Sequence, residues 1–138
     1  MTSKLNPYLG FRDNAREAME FYKSVFGGEL EISTFGDMQA SEDPAEKDLV
    51  MHSALTTPSG YTLMGSDTPK SMEHSETSNI SVSLSGDSDS EAELSGFFAK
   101  LADGGTVTMP LDKAPWGDSF GMCIDRFGTL WLVNISGS

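Results

Sequence analysis

The chain has 138 residues, with 21 acidic against 9 basic side chains and a formal net charge of −12. That balance leaves no basic footprint for a phosphate backbone, so nucleic acid is not an expected partner, and the length suits one well-filled core or two modules sharing one. A single cysteine, Cys123, forms no internal disulfide. No apolar run approaches the roughly 18 to 20 residues of a membrane span, and no charged-then-apolar leader precedes the first strand; the sequence thus predicts a cytoplasmic protein without a membrane partner.

Leu5 to Arg12 has strand character and gives way at Asp13-Asn14 to a helix running to about Phe26. Asn14 and Glu17 stand three apart in the pattern of a capping box, and Ala15, Ala18, Met19, Tyr22, Val25 and Phe26 form one apolar stripe. Gly27-Gly28 ends the helix where a positive φ is wanted. Glu29 to Phe35 alternates as a half-buried strand, and the polar, acidic stretch from Gly36 to Lys47, interrupted by Pro44, reads as a loop. Leu49 to Thr57 and Tyr61 to Gly65 are expected to pair as a hairpin around Pro58-Ser59-Gly60, followed by a linker from Ser66 to Ser78.

The second half repeats the first. Asn79 to Ser85 alternates strictly, with Ile80, Val82 and Leu84 on one face and small polar residues including Ser81 on the other, which is left for water or a pocket. Ser90 and Glu93 repeat the cap pattern, Leu94, Phe97, Phe98, Leu101 and Ala102 the stripe, and Gly104-Gly105 the stop after one extra residue, Asp103. A constant offset of 76 takes Asn14 to Ser90, Glu17 to Glu93, Phe21 to Phe97, Tyr22 to Phe98 and Val25 to Leu101. Strands are expected at Thr106 to Leu111, Ser119 to Ile124 and Thr129 to Ile135, with Trp116 in a loop and Asp125-Arg126-Phe127-Gly128 in a turn. The pattern predicts an α+β fold of two tandem βαβββ modules, curved mixed sheets with outer helices, over 1–67 and 78–138 of a single domain, 1–138.

That order, the closing hairpin from Asp125 to Trp131, Pro7-Tyr8-Leu9, Phe21-Tyr22, Phe26-Gly27-Gly28, His52, and Trp116-Gly117-Asp118 before Phe120-Gly121 resemble the vicinal-oxygen-chelate superfamily of glyoxalases, bleomycin-resistance proteins and extradiol dioxygenases. Within it the chain looks most like the branch labelled PhnB-like or demethylubiquinone-methyltransferase-like. The resemblance implies a glyoxalase-like fold and a homodimer. In metal-using members, four inward-facing side chains from the first and fourth strands of each half hold a divalent ion. Those positions fall near Pro7, Leu63 or Met64, Asn79 and Leu132, within about one residue. Three apolar side chains and a neutral amide do not suit such an ion, so no metal and no cofactor are expected.

Among individual residues, His52 is a general base or ligand-orienting group if it faces the concave side, and otherwise a histidine satisfied within the sheet. His74 and Glu76 would join it as a facial triad only if the linker folds over the sheet. Trp116 either lines a small-molecule cavity or plugs the sheet end; Asp118 binds a ligand or accepts hydrogen bonds within its turn. Cys123, with no basic neighbours, reads as an inert buried thiol, Phe127 and Trp131 as packing, and Met51, Met64, Met109 and Met122 as cavity or core filling. There is no Walker loop, G-x-G-x-x-G turn or G-x-S-x-G elbow, and nothing resembles the nucleotide-binding turn of a methyltransferase.

Three functions follow. The first is a metal-free binder of a small organic molecule, with Leu9, Phe11, Met64 and Trp116 as apolar walls and His52, Asn79, Ser81 and Asp118 as polar contacts. The second is a lyase, isomerase or dioxygenase-type enzyme centred on His52. The third is an antibiotic-sequestering resistance protein whose acidic surface holds a cationic drug.

Overall fold

A computed structural model describes residues 5–37, 44–68 and 80–137. The chain divides into two compact units, Met1–Ser75 and Glu76–Ser138. In the first, β1 (Tyr8–Phe11), α1 (Ala15–Phe26), β2 (Glu29–Thr34), β3 (Val50–Thr56) and β4 (Thr62–Asp67) follow in order, and the strands form a mixed sheet ordered β1-β4-β3-β2. In the second, β5 (Val82–Gly86), α2 (Glu91–Ala102), β6 (Thr106–Lys113), β7 (Ser119–Ile124) and β8 (Leu130–Ile135) form a sheet ordered β5-β8-β7-β6. Each unit is therefore the expected βαβββ module, with one parallel pair, β1 with β4 or β5 with β8, beside two antiparallel ones.

Each helix covers one face of its own sheet because its apolar stripe finds the inward-pointing alternate residues of the strands. Ala15, Ala18, Met19, Tyr22, Val25 and Phe26 are buried on α1, over Phe11, Ser53, Leu55 and Leu63. Leu94, Phe98 and Leu101 of α2 are buried over Leu84, Cys123, Trp131, Val133 and Ile135. The helices start at 15 and 91 and end at 26 and 102, so the displacement of 76 read from the sequence holds at both ends.

The repeated glycine stops have a common steric cause. Gly27 and Gly104 have φ of 75° and 81°, the left-handed region that ends a helix. The next glycines, Gly28 and Gly105, lie directly against the backbone of the opposite strand end; a Cβ there would overlap the carbonyl oxygen of Thr56 or of Ile124. The β3–β4 and β7–β8 turns are likewise built alike. Thr57 N–H donates to Tyr61 O and Asp125 N–H to Thr129 O, while the Thr57 hydroxyl and the Asp125 carboxylate accept from the backbone N–H of Tyr61 and Thr129.

The helix starts differ from the sequence expectation. Neither Asn14 nor Ser90 makes a side-chain cap bond. At α1 the role passes to Asp67, at the far end of β4, whose Oδ1 accepts from Ala15 N–H and whose Oδ2 accepts from Val50 N–H, both at 2.9 Å. At α2, Asp87 caps a short 3-10 turn, Ser88–Ser90, that leads into the helix. The sequence pattern places Asp67 in the linker; it belongs to β4, which runs two residues past Gly65 because β1 pairs with it as far as Phe11 and Asp67.

Asp67 is buried, at 4% exposed, and both its oxygens are engaged by backbone donors. Asp67→Asn would turn one of these contacts into an N–H facing an N–H. We expect it to lower the unfolding free energy by about 1–3 kcal/mol, measured by denaturant unfolding. A loss below about 0.5 kcal/mol, the range of ordinary surface changes, would show that the bridge does not hold the unit together.

Candidate functional site

The face of each sheet turned away from its helix carries the side chains available for chemistry. In the first unit, pairing of Tyr8 with Met64, Met64 with Ala54 and Ala54 with Glu31 sets one row across all four strands. The next positions on the same face are Gly10 with Ser66 and His52 with Ser33. Tyr8 reaches across β4, and its hydroxyl meets Nδ1 of His52 at 3.2 Å, the two rings 5.9 Å apart and tilted by 37°. His52 is half-buried and Tyr8 is 51% exposed. Among the described residues Nε2 of His52 has no hydrogen-bond partner.

In the second unit the corresponding face is formed by Ser83 and Ser85 of β5, Leu132 and Asn134 of β8 and Phe120 and Met122 of β7. Its polar end is fixed by Asp118. That carboxylate accepts from Asn134 Nδ2 and from Gly137 N–H, both at 3.1 Å, while its backbone oxygen accepts from Ala114 N–H at 2.7 Å. The turn so closed presents Trp116, 64% exposed, edge-on to Phe120 with the ring centres 5.9 Å apart.

The sequence-chosen residues divide accordingly. His52 and Met64 share the open face of the first sheet, and Trp116 and Asp118 sit together at one end of the second. Ser81 precedes β5 and is half-buried. Leu9 and Phe11 alternate onto the opposite side from Tyr8: Leu9 pairs with Gly65, where an added Cβ would touch Met19 of α1 and the Phe11 ring, so both belong to the layer beneath the helix. As walls of an open-face site they are corrected by strand register, which the sequence leaves uncertain by one residue: Phe11 is a core position and Leu9 is half-buried on the helix side. Asn79, His74 and Glu76 lie outside the described residues. Tyr8 was missed, because only the parallel β1–β4 register brings it to His52.

Of the four positions that the resemblance implies for a metal, Met64 brings a thioether and Leu132 a hydrocarbon to the two open faces, Pro7 has no donor side chain, and Asn79 lies outside the described residues. Among the described residues no group of three or more His, Cys, Asp or Glu side chains is placed to hold an ion. A thioether and a hydrocarbon are poor ligands for a divalent metal. A groove of about 490 Å³ at the start of α1 is lined by Asp13, Asn14, Arg16, Glu17, Asp48 and Asp67, but the buried carboxylate at its base is taken up by the backbone.

Comparison with known proteins follows the same architecture. The model of the 3-demethylubiquinone-9 3-methyltransferase family matches residues 3–134. The chain belongs to that family. Protein PA1353 from Pseudomonas aeruginosa is 42% identical, with a TM-score of 0.83 over 98% of both chains. A putative 3-demethylubiquinone-9 3-methyltransferase, PhnB protein, from Bacillus cereus is 29% identical, with a TM-score of 0.73 over 97% of this chain and 100% of that one. The fold alone is shared with a glyoxylase/bleomycin resistance protein/dioxygenase domain from Frankia sp. EAN1pec, 14% identical, with a TM-score of 0.64 over 99% and 93% of the two chains. The glyoxalase-like fold that the sequence resemblance implied is thus the fold of this chain.

In this family member the surroundings of Cys123 disfavour its thiolate. It is buried beneath α2, and burial, with the Asp125 carboxylate adding to it, pushes its thiol from 9.0 up to about 11. At pH 8 the thiolate fraction is then on the order of one in a thousand. A colorimetric disulfide reagent should leave the native protein unmodified at pH 8 and titrate one thiol after denaturation; prompt native labelling would contradict the placement.

Proposed function

We propose that this protein binds a small organic molecule on the open face of its first sheet, without a divalent metal. The observation that carries the reading is the Tyr8–His52 pair. A half-buried imidazole with one ring nitrogen held by a tyrosine hydroxyl, and the other without a described partner, is oriented toward whatever occupies that face. Around it lie Met64 and Ala54 as apolar surface and Ser33 and Ser66 as hydroxyl donors and acceptors, a mixture suited to a ligand with an apolar body and few polar groups. Trp116 and Phe120, held by Asp118, offer an aromatic surface of the kind that packs against flat ligands.

The methyltransferase description of the family finds no counterpart in either sheet. A nucleotide-binding methyltransferase core is a largely parallel, doubly wound sheet whose first strand-to-helix turn is rich in glycine. Here each sheet has a single parallel pair, and the turn before α1 reads Arg12-Asp13-Asn14. Metal-dependent isomerase or dioxygenase chemistry meets the thioether and the hydrocarbon already described.

A ligand-observed NMR screen of a fragment library tests the proposal. Compounds that bind the wild-type protein are expected to lose at least about tenfold in affinity with His52→Ala, about 1.4 kcal/mol. Hits unaffected by that change would place binding elsewhere and overturn the reading. For the metal-free part, protein purified without a histidine tag should carry no stoichiometric transition metal by elemental analysis.

A further inference from the structure

We infer that His52 is held as a hydrogen-bond donor, with its proton on Nε2, and that the open face of the first sheet therefore selects an uncharged, carbonyl-bearing ligand. The inference rests on the binding reading above and adds the class of ligand to it.

The contact between Tyr8 Oη and His52 Nδ1, 3.2 Å long, has two possible polarities. A phenol is a better hydrogen-bond donor than a neutral imidazole N–H, and the imidazole lone pair is a better acceptor than a phenol oxygen. The hydroxyl therefore donates to Nδ1. That consumes the ring's lone pair and leaves the proton on Nε2, the nitrogen without a described partner. What the sheet offers a ligand at this point is an N–H, and what answers an N–H is an acceptor oxygen or nitrogen. The same polarity removes the neutral imidazole as a general base, since its basic nitrogen is already occupied.

Charge then narrows the acceptor. Glu31 and Glu29 stand on the same face, paired with Ala54 and Thr56 along β3, and the chain carries −12. A carboxylate or phosphate arriving at His52 would meet these acids with no lysine or arginine among the strand residues of this face, Arg12 standing just beyond the end of β1. An uncharged carbonyl gains the hydrogen bond without that repulsion, and Met64 and Ala54 supply the apolar contact its carbon frame needs. Tyr8 is thus a positioning residue, acting on the ligand through the imidazole.

Side-chain two-bond 1H–15N correlation spectra of the ¹⁵N-labelled full chain, at a pH where the imidazole is neutral, read the tautomer directly. His52→Gln assigns the signals. We expect a pyrrole-type Nε2 and a hydrogen-bonded pyridine-type Nδ1, with Tyr8→Phe moving Nδ1 toward the value of a free pyridine-type nitrogen. A protonated Nδ1, or signals indifferent to Tyr8→Phe, overturns the inference and leaves the binding reading standing. Acetophenone and benzoate, added at equal concentration, then test the ligand class: the ketone should shift the His52 resonances several-fold more than the carboxylate. A stronger response to benzoate overturns the class, and no response to either compound overturns the class and counts against binding at this face.

Discussion

The first unit depends on one buried carboxylate. Asp67 ends β4, and its two oxygens reach the first N–H of α1 and the first N–H of β3, so a single side chain joins the beginning of the helix to two neighbouring strands. The helix N-terminus favours a negative charge, and charge-assisted bonds to backbone donors offset the cost of taking the carboxylate out of water. Asp125 does comparable work in the second unit, accepting from Phe127 N–H, Thr129 N–H and the indole Nε1 of the fully buried Trp131. The hydrogen bonds named here come from backbone and indole N–H groups, and among the described residues no buried side-chain nitrogen or oxygen lacks a partner. The two bridges are not at equivalent places: one sits where a helix begins, the other where a hairpin turns. The halves share a backbone plan and stabilise it with different side chains.

What the halves do share is steric. The paired glycines after each helix, the close approach of Gly28 and Gly105 to a strand end, and the turn closed by Thr57 or Asp125 are requirements of backbone geometry that few residues meet. The open faces carry no such requirement, and they differ. The first holds a tyrosine, a histidine and two serines around Met64; the second holds Leu132, Met122 and Phe120 beside Ser83, Ser85 and Asn134. The repeated fold thus carries two chemically distinct faces, and the histidine belongs to the first.

The same distinction explains what could be read from the chain. Helix stripes, glycine stops and the order of elements are local patterns, and α1, α2 and β7 fall where their periodicity put them. Caps were misread because Asp67 is 52 positions from the N–H it binds, and the local candidates Asn14 and Ser90 looked sufficient. Phe11 was taken for a cavity wall because an aromatic residue near the end of a strand has no face until the register is known; a shift of one residue exchanges it with Gly10. His52 was legible as a rare histidine inside an apolar strand. Its partner was not, since Tyr8 and His52 come from strands that are not even neighbours in the sheet.

That partnership changes what the histidine means. A lone histidine in a sheet invites a catalytic reading, because an imidazole near neutrality accepts and releases protons. Once a phenol donates to Nδ1, the neutral ring has one function left on its outward side, that of a donor. Apolar neighbours and carboxylates on the same face then favour an acceptor without charge over an anion. A fold of this kind can host several chemistries because its sheets leave this face to the side chains. In this chain the tyrosine–histidine pair is the polar feature of the first open face on which the proposed recognition turns.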